Sequence, residues 1–281
     1  MTTEGRSTER RAAARAVAAY AVLILGALLT VAPLVLSALT AVKTPKQFAS
    51  ESALATPHPA TLDNFRAVLD QGLGRAVAVT ALMTVCITCG QLVTSTMAAY
   101  AFARTSFPGR DVLFWVYLGT MMVPSAVTLV PLYLMFAKLG WLNSFWALVL
   151  PFLFGSPYAI FLLRQYFRAI PGEIIDAARM DGASTLDILV SVVVPMSRPI
   201  LATLAVITVV SQWNSFMWPL VAASGPKWQV LTVATASIQT QYNAQWTLIM
   251  AATTLAIAPL VLLFVVFQRQ VLASIAVTGI K

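Results

Sequence analysis

Between Arg15 and Lys43 the chain carries no charged residue. The same holds between Arg75 and Arg104, Asp111 and Lys138, Lys138 and Arg164, Arg198 and Lys227, and Lys227 and Arg269. About 20 apolar residues cross a bilayer as a helix, and hydrocarbon admits only elements that satisfy their own backbone hydrogen bonds. The last interval opens with Gln229, Gln239, Gln241, Asn243 and Gln245, too polar for lipid, so one span is placed in it. The expected fold class is all-α: a polytopic membrane protein with six transmembrane helices in one transmembrane domain over 1–281. The spans are expected at about 17–42, 76–103, 112–137, 141–163, 200–222 and 246–267. Composition agrees, because 59% of the 281 residues are hydrophobic and 10% are charged. Soluble domains carry about a quarter charged residues, and disordered chains are poor in apolar ones.

Six spans put both termini on one side. With the N-terminus inside, the cytoplasmic face holds 12 basic residues: Arg6, Arg10, Arg11, Arg15, Arg104, Arg110, Arg164, Arg168, Arg179, Arg198, Arg269 and Lys281. The outer face holds 6, namely Lys43, Lys46, Arg66, Arg75, Lys138 and Lys227. Cytoplasmic loops are enriched in Lys and Arg, so both termini of this multi-pass membrane protein are expected in the cytoplasm. The formal charge of +8 is accounted for by these loops, without nucleic acid. The apolar run from Ala16 to Val42 exceeds the 7–15-residue core of a signal peptide and reads as an uncleaved first span. Residues 43–75, with Pro45, Pro57 and Pro59, form an external loop in which His58 is solvated.

Prolines recur inside the spans at Pro124, Pro131, Pro151, Pro157, Pro219 and Pro259. Pro is common in membrane helices, but broken helices free backbone groups that must face protein or a water-filled path. Polar residues in the fifth span, Gln212, Asn214 and Ser215, together with Trp213 and Trp218, are candidates to line such a path, since polar side chains at that depth face the bundle interior, bonding a neighbouring helix or lining a cavity. Cys86 and Cys89 form a CxxC deep in the second span, where a thiolate is costly, so they read as packing residues. Gly90, Thr94 and Ala98 repeat at the small-xxx-small spacing of close helix contacts. One His and two Cys leave no metal site to build.

The stretch from Arg164 to Arg198 holds eight charged residues, four basic and four acidic. Pro171 suits the first turn of a helix, and Glu173 and Asp176 complement its dipole. Ile174, Ala177 and Ala178 are expected on one face. Gly182 supplies a C-terminal cap, and Ser184 with Asp187 a capping box for a second short helix that Pro195 ends. A small-residue helix face beside a Gly turn reads as a docking knob.

This stretch resembles the EAA motif of permease subunits in binding-protein-dependent ATP-binding cassette importers. Asp176-Ala177-Ala178 are followed by three residues, Gly182, nine residues and Val192-Val193-Val194-Pro195. Asp replaces the motif's Glu, and Val its Ile and Leu. "AARMDGAS", "VPMSRP", "FPGR" (Phe107 to Arg110), "QWNSFMWPL" (Gln212 to Leu220) and the terminal "QR" and "VTGIK" resemble the carbohydrate branch, which includes maltose, trehalose and glycerol-phosphate permeases. The resemblance implies a type I importer permease fold with a cytoplasmic coupling loop at 164–199. It implies that Glu173, Asp176, Ala177, Ala178, Arg179, Asp181, Gly182 and Ala183 make the ATPase contact. It implies these partners: a second homologous permease, two ATPase subunits, an extracytoplasmic solute-binding protein and membrane lipid. The chain itself would have no catalytic residue and no cofactor, with ATP and Mg on the partner ATPase.

The rival reading, an ion-gradient-driven secondary transporter, commonly places ionisable groups inside the membrane. None falls in the six expected spans. An intramembrane enzyme needs a nucleophile–base pair or metal ligands, and the spans offer no His or carboxylate.

Overall fold

A computed structural model describes the backbone over residues 3–241 and 245–278 and the side chains over 15–239 and 245–268. Arg6, Arg10, Arg11, Arg269 and Lys281, on which the charge asymmetry leans, have side chains outside the described residues, as do Gln241 and Asn243. All regular structure among the described residues is helical. Four helical stretches are long and apolar enough to span a membrane: Arg15–Ala41, Leu73–Arg104, Phe145–Ala169 and Trp246–Gln268. Two bent pairs raise the number to six if each is one span. The chain divides into two compact units, 1–71 with 238–257, and 72–237 with 258–281.

In the first unit α1 (Thr3–Ala41) exposes apolar side chains all round, Val17, Leu23 and Leu28 among them, as a helix facing lipid must. The segment after it is folded rather than a plain loop. Thr44 and Gln47 form a capping box at the start of α2 (Pro45–Ser50), and α3 spans Asp63–Asp70. Lys43 is 1% exposed, and its ammonium donates to the carbonyls of Ser52 (2.9 Å) and Ala53 (3.2 Å). Buried Asn64 donates to the carbonyls of Ala41 and Lys43, both at 2.8 Å. A buried cation is costly unless hydrogen-bonded, and these carbonyls supply that. His58 is exposed, as expected.

The second unit is built on α4 (Leu73–Arg104), which packs against α7 (Phe145–Leu153), α8 (Pro157–Ala169) and α12 (Arg198–Trp213). Lipid tails are as apolar as leucine, so membrane helices associate by close packing and hydrogen bonds rather than by escape from water. The contact at α7–α8 shows both. The helix breaks at Phe154–Ser156, because Pro157 pushes the residue before it out of the α region. Ser156 accordingly has φ −84° and ψ 134°. The break frees the Phe152 carbonyl and the Ser156 N–H, four residues apart. On α4, one turn apart, Gln91 donates to the former at 2.8 Å and Ser95 Oγ accepts from the latter at 3.2 Å. The Tyr117 hydroxyl donates to the carbonyl of Gly155. Gly90 lies against the same place: a Cβ there would stand 2.4 Å from Leu153 Cδ1 and 2.5 Å from the Leu153 carbonyl oxygen. Cys86 joins the packing of Met83, Ile87 and Leu148, and neither Cys is in a disulfide.

Three expected boundaries change. The stretch 112–137 is not one helix. α5 (Arg110–Gly119), extended by a 3-10 turn over Thr120–Met122, meets α6 (Ser125–Lys138) at 97°. A residue before proline is driven out of the α region. Pro124 thus forces Val123 into an extended conformation, φ −80° and ψ 116°, which ends the first helix. The stretch 200–222 is divided by Asn214–Phe216 into α12 and α13 (Met217–Ala222). The fourth helical stretch runs past residue 163 to Ala169, so Arg164 lies inside α8 and not at the start of a loop.

Replacing Gly90 with alanine is expected to destabilise the second unit by about 1–3 kcal/mol through overpacking, since a backbone carbonyl cannot step aside as a side chain can. Thermal unfolding in detergent measures this, and an unchanged Tm would mean that α4 and the α7–α8 break separate at no cost.

Candidate functional site

Pro171 immediately precedes α9 (Gly172–Met180), whose first turn carries Glu173. The helix ends in a Schellman motif. Gly182 has φ +84°, its N–H donates to the Arg179 carbonyl at 3.0 Å, and the Ala183 N–H donates to the Ala178 carbonyl at 3.0 Å. Half-buried Ala178 and Ala183 both pack on the core beneath, the apolar contact that accompanies this motif. Ser184 then caps α10 (Thr185–Ile188). Its hydroxyl accepts from the Asp187 N–H at 3.2 Å, and the Asp187 carboxylate accepts from the Ser184 N–H at 3.0 Å.

The expected common face of Ile174, Ala177 and Ala178 is divided. Ile175 is the residue that turns inward, 3% exposed against Phe167, Ile170 and Ile188, with Ala178 one turn on beside it. Ile174, Ala177 and Met180 face out, and Met180 is 84% exposed. Glu173, Asp181 and the Asp176–Arg179 pair (3.4 Å) are also exposed. The outer surface of α9 is thus small and apolar with charges around it.

The return path differs from expectation at Pro195. A π-helical turn covers Leu189–Val193, with the Val194 N–H bonded to the Leu189 carbonyl five residues back, and α11 (Val194–Met196) continues through the proline. The chain then turns by 80° at Ser197 into α12. Pro195 has no N–H for the carbonyl four residues back, and the π turn just before it is where the regular helical ladder is already interrupted. The Tyr166 hydroxyl donates to the Met196 carbonyl at 3.1 Å and ties this end to α8.

A second feature is a cavity of about 490 Å³ where three helix breaks meet. Ser125 and Leu129 of α6, Phe152 of α7, and Ser211, Gln212, Asn214, Ser215 and Trp218 line it. Four of the five expected path residues are therefore brought together. Trp213 is buried outside the lining. The indole N–H of Trp218 is engaged by the Ala147 carbonyl at 2.9 Å and its ring packs edge-on to Phe136, so it presents an apolar surface. Asn214 donates to the Val210 carbonyl at 2.8 Å.

The sequence reading missed a cluster of charges at the root of α9. Arg164, with its side chain 7% exposed, pairs with Asp111 at 3.0 Å and donates to the Phe102 carbonyl at 3.2 Å. Its guanidinium lies 3.9 Å over the Phe114 ring. Arg104 donates to the carbonyls of Phe167 (3.0 and 2.6 Å) and Ile170. Arg110 reaches Asp111 (3.2 Å) and the Thr105 carbonyl (3.1 Å). The only sequence signal was the grouping of these arginines at both ends of apolar runs, which reads equally well as solvated loop charge. The expected spans themselves hold no charge, but the helices run beyond those bounds and so take in Asp111 at the start of α5 and Arg164 within α8.

The chain belongs to the family of inner membrane components of binding-protein-dependent transport systems, which it matches over residues 91–277. It is 32% identical to the arabinooligosaccharides transport system permease protein of Halalkalibacterium halodurans, over 80% of this chain and 81% of that one. It is also 32% identical to the sn-glycerol-3-phosphate transport system permease protein of Yersinia enterocolitica, over 88% and 90%. Its fold is shared, at a TM-score of 0.80, 22% identity and 96% and 98% coverage, with a chain of a bacterial ATP-binding cassette transporter involved in import of the acidic polysaccharide alginate. The protein is a permease subunit of an ATP-binding cassette importer, a multi-pass protein of the inner membrane.

Stability separates the two caps. Gly182→Ala forces a Cβ into left-handed backbone and is expected to cost about 1–2 kcal/mol. That cost is one of backbone strain, since no atom beyond the adjoining residues lies within 4 Å of the added carbon. Ser184→Ala removes one N-cap and is expected to cost about 1 kcal/mol. Denaturation midpoints of the two variants check both values, and a neutral Gly182→Ala would exclude the left-handed turn.

Proposed function

We propose that the chain is one of two non-identical permeases that form a path for a sugar or a related polyol or glycerophosphodiester. The path works by alternating access, coupled through α9 to separate ATPase subunits. The observation that carries this is the α9–Gly182–α10 unit. Ile175 and Ala178 anchor it inward, while Ile174, Ala177 and Met180 present an outward surface with nothing of the described chain covering it. Glu173, Asp176, Ala177, Arg179, Asp181 and Gly182 stand where a groove on the ATPase would receive them, and half-buried Ala178 and Ala183 support them from beneath. ATP and Mg²⁺ would be held by the ATPase subunits, not by this chain.

In this reading, one transmembrane domain of six passes has both termini in the cytoplasm, which the distribution of Lys and Arg favours. A solute-binding protein delivers the solute from the outer side. Ligand sites combine apolar walls with a few placed polar groups. Hydroxyl and amide groups from Ser125, Ser211, Gln212, Asn214 and Ser215 beside the rings of Phe152 and Trp218 suit a hydroxylated, uncharged solute, and so favour the sugar. The relatives named for arabinooligosaccharides point the same way. An ion-gradient-driven transporter has no support from the family, and the Arg164–Asp111 pair is not placed at the cavity.

The test is purification in mild detergent, with co-purifying proteins identified and counted by mass spectrometry. A second permease, two ATPase copies and a solute-binding protein are expected. Gly182→Trp is expected to lose the ATPase subunits and uptake while still inserting in the membrane. Normal uptake by a stably inserted Gly182→Trp protein would refute the docking role.

A further inference from the structure

Two segments joined by a short turn and a third that is distant in sequence meet at the root of α9. They are the end of α4 (Phe102–Thr105), the start of α5 (Arg110–Phe114) and the end of α8 (Arg164–Ile170). The bonds that join them use charged side chains and rings. Arg104 holds the last carbonyls of α8, immediately before Pro171. A cation at a helix C-terminus also complements the helix dipole. Arg164 ties α8 to α4 through the Phe102 carbonyl and to α5 through Asp111, with Phe114 beneath it. Phe114 is fully buried and packs edge-on to Phe102 at 5.5 Å. A planar guanidinium that uses two edges and one face at once fixes orientation as well as distance, which an ammonium cannot do.

The far end of α5 leads to the cavity. Asp111 lies at its first turn, and Met122 ends its 3-10 extension, about three helical turns further on. Across the bend at Pro124 stand Ser125 and Leu129, which line the cavity. Midway along α5, Tyr117 holds the Gly155 carbonyl in the α7–α8 break, next to the segment that contributes Phe152. A displacement of α9 that carries the end of α8 with it therefore reaches the cavity wall through α5, provided that α5 is fixed to α8.

We propose that the Arg164–Asp111 pair is the strut that passes displacement of α9 to α5 and so to the cavity, with Arg104 of α4 holding the end of α8 from which α9 springs. These are positioning residues: they touch neither solute nor ATPase. The inference rests on the docking role proposed for α9. Asp111 is 60% exposed, so an isosteric change there leaves the packed core in place. Asp111→Asn keeps the shape and removes the charge, and Arg164→Lys keeps the charge and removes the fork.

The experiment uses the complete importer with its own ATPase subunits and binding protein in nanodiscs. Cys86→Ser, Cys89→Ala and Met122→Cys place one bimane label at the end of α5, where Met122 is 86% exposed. ATP with orthovanadate is the probe. In the parent, trapping is expected to shift the label's emission. In Asp111→Asn and Arg164→Lys the ATPase subunits should still co-purify and hydrolyse ATP within about twofold of the parent, while the shift falls by about fivefold or more, the scale of a modest coupling energy. Asp111→Glu should restore it.

A full shift in both variants overturns the strut, as does no shift in the parent. Loss of the ATPase subunits from Asp111→Asn would also overturn it, because the pair would then only shape the docking helix. Gly182→Trp separates this inference from the one beneath it. If that variant keeps the ATPase subunits and the full shift, the docking role of α9 fails, whatever the pair does.

Discussion

A helix broken within a membrane must find partners for the backbone groups it releases, and here α4 supplies them to the α7–α8 break. Gln91 and Ser95 lie one turn apart on α4 and meet a carbonyl and an N–H that would have bonded each other had the helix continued. Gly90 lets the backbones approach closely enough for those bonds. Without such partners each orphaned group in hydrocarbon would cost several kcal/mol. The breaks at Phe154–Ser156, Val123–Pro124 and Asn214–Phe216 bring Phe152, Ser125 and Asn214 to one cavity. Proline and the polar face of α4 thus create the room in which a solute is proposed to pass.

The α9–α10 unit follows a different logic. Its local bonds are complete within the segment: a Schellman turn at Gly182 and a reciprocal cap between Ser184 and Asp187. The remainder of the chain anchors it through Ile175, Ala178, Ala183 and Ile188. A surface element with self-sufficient backbone bonding and one buried face keeps its shape while its outer face stays open to a partner. The π turn and the 80° bend at Ser197 return the chain to α12.

Charge is used sparingly and to structural ends. Lys43 and Arg104 give their cations to backbone carbonyls, and Arg164 divides its guanidinium among a carboxylate, a carbonyl and an aromatic face. Only Arg164 of the Arg164–Asp111 pair is buried, so it is the charge that would be left short of a partner if Asp111 were neutralised. Placed between α4, α5 and α8, the arginine bonds join the docking element to the helix that leads to the cavity.

The apolar runs and their spacing were sufficient to give an all-α membrane protein, because length and hydropathy alone decide whether a helix can cross a bilayer. The docking unit was also legible, since caps such as Gly182 and Ser184–Asp187 are set by residues at most a few positions apart. The inward role of Ile175 was not legible, because a helix nine residues long has apolar side chains on both faces and only its neighbours choose between them. Nor was the burial of Trp213, or the partnership of Asp111 with Arg164, 53 positions apart. A proline announces that a helix is disturbed, but whether it bends by 97°, as at Pro124, or stays within a helix, as at Pro131, depends on what packs around it. Tertiary structure alone decided which charges are buried, because a cation leaves water only where carbonyls, a carboxylate or a ring from distant segments converge to receive it.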